Sequence, residues 1–201
     1  MDLFKELIKL LTPLFIEMDF IKKGNNFYLK SGKIYGILNF QKSRESRKDV
    51  VKFTINFGIY SDVLGQLDYN YNNLVKSDVE QFHWYARVGA FMKESPDYWW
   101  EVSMSDDLNS FVFKLIDVVQ AIIMPEINKR LSDEGLINSW MNETYAGTTD
   151  IGRFKYLTTL LKAKGDSNVL NQVIEIFMQK SNGKPNASIA MEHLNEIKYN
   201  K

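Results

Sequence analysis

Only two residues of this chain, His83 and His193, carry an imidazole, and there is no cysteine. The missing thiols remove disulfide frameworks, thiolate zinc sites, iron–sulfur clusters and cysteine nucleophiles together. For proton transfer near neutral pH an imidazole remains, with an unperturbed pKa of about 6.5. His83 begins the run His83-Trp84-Tyr85-Ala86-Arg87, and at strand spacing its like-facing neighbours are Tyr85 and Arg87. Arg87 would hold an anionic group through its planar fork, and Glu101 on an adjacent strand would orient that fork by an ion pair. His83, Arg87 and Glu101 are therefore the catalytic candidates, for a small enzyme acting on a phosphate-bearing or other anionic substrate. Against this stands the commoner fate of a single strand histidine, which is structural. His193 sits in a terminal helical pattern with no second ligand three or four residues away, so no histidine metal site is expected. Glu94 with Asp97, and Asp106 with Asp107, are carboxylate pairs that a hard cation accepts, and they are equally what turns and helix starts prefer. No metal and no cofactor are expected.

The elements that must position these groups follow from hydrophobic periodicity. Over residues 1–20, Leu3, Leu7, Leu10 and Leu14 with Phe4, Ile8, Leu11 and Phe15 give the i, i+3, i+4, i+7 stripe of a helix laid on a core, kinked at Pro13. After Gly24 the period falls to about two over 26–30, 33–42 and 50–60, and again over 83–91 and 99–104. These read as five antiparallel strands, with a tight turn at Ser31-Gly32, a polar hairpin tip over 43–48 and a turn at Ser95-Pro96-Asp97. The stretch 61–71 fits either a short helix or a loop. From Ser105 as N-cap, Leu108, Phe111, Leu115, Val118, Val119 and Ile122 mark one face of a long helix that Pro125 should bend or end. Helical patterns near 133–145, 150–164, 166–179 and 186–197 complete the chain, punctuated by Gly135, Gly147 and Gly165. The expected architecture is α+β: an antiparallel sheet of about five strands, with the N-terminal helix and a long helix packed on one face. A helical C-terminal region follows, dividing the chain into a 1–132 domain and a 133–201 extension.

Alternation separates the two faces of that sheet. Val51, Phe53, Ile55, Phe57 and Ile59 turn one way with Ile34, Leu38, Phe40, Trp84, Ala86, Val88, Trp100, Val102 and Met104, as core. Tyr35, Asn39, Gln41, Lys52, Thr54, Asn56, His83, Tyr85, Arg87, Trp99, Glu101 and Ser103 turn the other way. Amides, hydroxyls and aromatic rings in this mixture line ligand grooves, so Asn39, Gln41, Thr54, Asn56, Tyr85 and Trp99 are the ligand-binding candidates. The competing reading places the C-terminal helices over this face, with its polar groups satisfying one another or holding structural water. Gly58 and Gly89 fall inside strand patterns and suggest bulges or a close backbone approach.

Four blocks in sequence carry a resemblance: Asn39-Phe40-Gln41-Lys42-Ser43, residues 53–59 (Phe-Thr-Ile-Asn-Phe-Gly-Ile), residues 83–89 (His-Trp-Tyr-Ala-Arg-Val-Gly) and Asp97-Tyr98-Trp99-Trp100. Their order and spacing resemble the bacterial family known as domain of unknown function 4304, as does an opening helix followed by Phe20, Lys22, Gly24, Asn26, Phe27 and Tyr28. The resemblance covers about residues 1–130. It implies no activity, since the family has none to carry over. Phe82 stands where that family often has a cysteine, which takes thiol chemistry away from this chain.

Composition narrows the function classes further. Lys plus Arg equal Asp plus Glu at 25 each, so no long-range field concentrates nucleic acid or an anionic membrane, and nucleic acid is not an expected partner. Trp84, Trp99 and Trp100 with Tyr85 and Tyr98 could stack on bases or sugars, although alternation sends Trp84 and Trp100 into the core. Charges at Asp2, Lys5, Glu6 and Lys9 interrupt any export signal, and no apolar run is long enough to span a membrane, so a cytoplasmic address is expected. Phosphate-loop, dinucleotide, serine-hydrolase and zinc-protease motifs are absent. The leading expectation is a non-catalytic ligand-binding or protein-interaction module using the polar, aromatic sheet face. The partner is a small molecule or a protein, and a homodimer could form through Trp140, Tyr145, Phe154, Leu157 and Leu161 of the C-terminal helices.

Overall fold

A computed structural model of the chain describes residues 2–66, 82–93 and 97–199. Glu94, Ser95-Pro96 and residues 67–71 of the ambiguous stretch lie outside the described residues. Helix α1 (Leu3–Glu17) starts at Asp2, whose carboxylate accepts hydrogen bonds from the backbone amides of Phe4 and Lys5, two of the donors that a helix start leaves without partners. Its buried stripe is Leu3, Phe4, Leu7, Ile8, Leu11 and Phe15, and the helix continues through Pro13.

Among the described residues six antiparallel strands follow: β1 (Ile21–Lys23), β2 (Asn26–Ser31), β3 (Ile34–Lys42), β4 (Val50–Ser61), β5 (Trp84–Arg87) and β6 (Trp100–Ser103). The order is β1-β2-β3-β4, and the far edge of β4 is shared end to end, β6 pairing with residues 50–53 and β5 with residues 56–59. The strand expected over 83–91 ends at Arg87 and passes into a 3-10 turn, Val88–Phe91, so Gly89 belongs to that turn rather than to a bulge. Gly58 does mark a close approach: a Cβ there would stand 2.6 Å from the Trp84 carbonyl oxygen. After β4 comes a single helical turn, α2 (Asp62–Gly65).

The inward sheet face packs Phe40, Phe53, Ile55, Phe57, Ile59, Trp84 and Val102 against α1 and the next helix. Met104, expected among them, lies beyond the end of β6 and is exposed. Helix α3 (Leu108–Val118) takes Asp107, not Ser105, as its cap, because the Asp107 carboxylate reaches the amides of Asn109 and Ser110. A wide π turn, Val119–Ile123, then leads into α4 (Met124–Arg130). That turn accommodates Pro125, which has no N–H to give the preceding turn, so the proline does not end the helix.

Four helices complete the described residues: α5 (Asp133–Asn142), α6 (Asp150–Lys164), α7 (Ser167–Ser181) and α8 (Pro185–Tyr199). Leu136, Ile137, Trp140, Leu157, Leu160 and Leu161 join the same buried cluster as α1 and the sheet, so the core continues across residue 132. A smaller cluster, Phe154, Ala190, Leu194 and Ile197, seats α8 on α6. Of the apolar stripe expected to face a second copy, Trp140, Phe154, Leu157 and Leu161 are at most 4% exposed within the single chain, while Tyr145 is 37% exposed.

Candidate functional site

Strand pairing sets the outward face. Asn26 lies opposite Asn39, Asn39 opposite Asn56, and Asn56 opposite Arg87, so one row of four side chains crosses β2, β3, β4 and β5 at the separation of cross-strand neighbours. Their hydrogen bonds run in one direction. The Arg87 Nε donates to Asn56 Oδ1 (3.3 Å), as does the Tyr85 hydroxyl (3.0 Å). Asn56 Nδ2 donates to Asn39 Oδ1 (3.1 Å) and Gln41 Oε1 (2.8 Å), Asn39 Nδ2 to Asn26 Oδ1 (2.6 Å), and Asn26 Nδ2 to the Tyr28 hydroxyl (3.2 Å). A chain of donors aligned head to tail and headed by a cation polarises each link in the same sense. Asn56, at the centre, is buried, and its amide oxygen and nitrogen are both engaged.

The cationic end of the row is equally fixed. Arg87 Nη1 donates to Asp97, Nη2 reaches Gln41 Oε1 at 3.4 Å, and the guanidinium carbon lies 5.1 Å from the centre of the Trp99 ring. Trp99 Nε1 donates to the same Asp97 oxygen at 3.1 Å. The hydrogen bond from Arg87, then that from Trp99, holds the exposed Asp97 carboxyl below its ordinary pKa. Thr54 points its hydroxyl to the Tyr98 carbonyl at 2.8 Å, fastening the 97–99 segment to the sheet.

The expected Arg87–Glu101 pair does not form. Because β5 and β6 lie end to end along β4, Glu101 sits opposite Lys52 and Arg87 opposite Asn56. Glu101 is 3.9 Å from the Lys52 ammonium, which bonds Glu45 at 2.6 Å, and that hydrogen bond raises the lysine's pKa. His83 is also set apart. Its ring is 1% exposed, accepts the Ser61 amide at Nδ1 (3.1 Å), and packs between Tyr60 and Tyr156 at 4.9 and 5.0 Å. Four residues of extended chain, about 13 Å, separate it from Arg87.

Asn39, Gln41, Asn56, Tyr85, Arg87 and Trp99 thus come together, Thr54 supports them, and His83 and Glu101 stand elsewhere. Asn26 and Tyr28 complete the row and were missed, although the Ser31-Gly32 turn fixes a hairpin register that puts Asn26 opposite Asn39. Asp97, read as a turn residue or a cation ligand, is the counter-ion of Arg87. The Asp106 carboxylate accepts the Ser103 amide and Asp107 caps α3. Among the described residues no group of three or more acidic or histidine side chains is placed to hold a metal ion.

A family model described as Domain of unknown function (DUF4304) matches residues 11–129, a span that contains every residue of the row and ends one residue before Arg130. No curated protein and no solved structure matches the chain.

Proposed function

The chain belongs to the DUF4304 family, and we propose that this member is a non-catalytic recognition module whose outward sheet face takes a neutral, hydrogen-bonding ligand. One observation carries the reading: Arg87 is held from four sides, by Asn56, Gln41, Asp97 and the Trp99 ring. A guanidinium already neutralised by a carboxylate offers direction and polarity rather than net charge, and beside it Gln41 and Asn39 supply amide donors and acceptors. Trp99 adds a flat apolar surface of the kind on which a sugar ring or a planar amide rests. Catalysis on an anionic substrate draws less support, since His83 is buried about 13 Å away along the strand and Arg87 is paired with Asp97. No helix of the described residues is long and apolar enough to cross a membrane.

A thermal-shift screen with sugars, nucleosides, amides and phosphorylated metabolites tests the proposal, using the native chain beside Gln41→Ala and Trp99→Ala. A neutral ligand should raise the melting temperature, and both variants should lose that shift while keeping their own baseline. A response confined to phosphorylated compounds would favour the anion-binding enzyme instead. Silence across all classes would sink the small-molecule reading.

A further inference from the structure

A cleft lies among the C-terminal helices, lined wholly by residues outside the span matched by the family. It is about 670 Å³ in volume and is enclosed by the end of α5, one face of α6, α7 and the start of α8. That volume falls within the roughly 300–1,000 Å³ of small-molecule sites. Its floor is apolar: Phe154 and Leu157 are buried, and the Phe154 and Phe177 rings stack at 4.2 Å and 23°. Ile176 stands at the margin 54% exposed, an apolar side chain left in water beside an apolar hollow.

The margin is basic. Arg153, Lys180 and Lys184 line it against a single carboxylate, Asp150. Among the described residues none of these three cations is within salt-bridge distance of a carboxylate, in a chain whose charges balance overall. Arg153 is anchored by a hydrogen bond from Nη2 to the Trp140 carbonyl, which leaves the rest of its fork to bind. It also sits in the first turn of α6, where the helix dipole adds to its positive field rather than offsetting it. An apolar hollow under an uncompensated cationic margin complements a molecule with an apolar body and an anionic head.

We infer that this cleft binds a single-chain amphiphile carrying a carboxylate or similar anionic group, independently of the sheet face. Dodecanoate, kept below its micellar concentration, is the probe, with dodecyltrimethylammonium as the charge-inverted control. In titration calorimetry the native chain should bind dodecanoate saturably and the cationic amphiphile at least tenfold more weakly. Lys180→Glu combined with Lys184→Glu changes two exposed side chains and should weaken dodecanoate at least tenfold with the melting temperature of the free protein nearly unchanged. Ile176→Glu, also exposed, should weaken it similarly, and Lys180→Gln with Lys184→Gln should fall between. Trp99→Ala on the sheet face should have no effect, so this inference and the proposed function fail separately. Absence of binding, equal affinity for both head groups, or indifference to charge reversal would each overturn it. So would a dimer in sedimentation velocity that dodecanoate dissociates, which would assign the cleft to a second copy.

Discussion

His83 and Gln41 show how differently two polar residues of one sheet face are used. His83 fills a buried space between Tyr60 and Tyr156 and accepts the Ser61 amide, so truncation leaves both a cavity and an unsatisfied donor. His83→Ala should therefore cost about 2–4 kcal/mol of stability in urea unfolding. Gln41 is exposed at the border of the row, and Gln41→Ala should cost less than about 1 kcal/mol. Similar losses at both positions would show that the whole face is one buried network. His193 is a third case, hidden between α6 and α8. The Thr158 hydroxyl lies 2.8 Å from the Phe154 carbonyl and 2.9 Å from His193 Nε2, and the buried Nδ1 of the ring has no hydrogen-bond partner. Burial, then the nearby charge of Lys155, lowers its pKa to about 4.

At the scale of elements, that lowered pKa makes the seating of α8 sensitive to acid. The unfolded chain protonates this imidazole near pH 6.5 and the folded chain only near 4, so the unfolded state binds more protons in between and stability falls as pH drops through that window. At pH 5 the loss attributable to His193 should be about 2 kcal/mol relative to pH 7.5. His193→Gln should flatten that part of the profile in denaturant melts, and an unchanged slope would discount the histidine. The loop over 143–149 is a second element with a specific duty. Gly147 gives its carbonyl to the Tyr85 amide (2.8 Å) and the Tyr145 hydroxyl reaches the Tyr85 carbonyl (3.2 Å), which covers the free edge of β5. Gly147 has φ +63°, and a Cβ there would meet the Trp84 indole at 2.5 Å. Gly147→Ala should cost at least about 2 kcal/mol, from backbone strain and the clash with a buried ring that cannot move aside.

Over the whole molecule, Arg130 joins the family-matched span to the helices beyond it. Fully buried, it donates to Glu126 at 2.6 Å and to Glu143, and its guanidinium lies 4.0 Å from the centre of the Trp84 ring. Burial alone would raise the Glu143 carboxyl, but the hydrogen bond from Lys129 and the charges of Arg130 and Lys129 outweigh it and hold the pKa down. Arg130→Ala strands these carboxylates and should cost about 3–5 kcal/mol. A chain ending at residue 132 would also bare the core partners of Leu136, Trp140, Leu157 and Leu161. It should show no cooperative thermal transition by calorimetry, whereas a sharp melt would establish an independent N-terminal domain. By itself the sequence determined what depends on local spacing: the α+β class, every strand described except the short β1, the two sheet faces, and the grouping of Asn39, Asn56, Tyr85 and Arg87, because a period of two fixes facing without knowledge of the fold. The tertiary structure decided what depends on which strands and helices become neighbours. End-to-end placement of β5 and β6 gave Arg87 to Asp97 and Glu101 to Lys52, the packing of Tyr156 closed over His83, and Trp140, Leu157 and Leu161 of α5 and α6 turned into the core shared with the sheet. Spacing along a chain carries no record of partners brought together across it, and only packing supplies them.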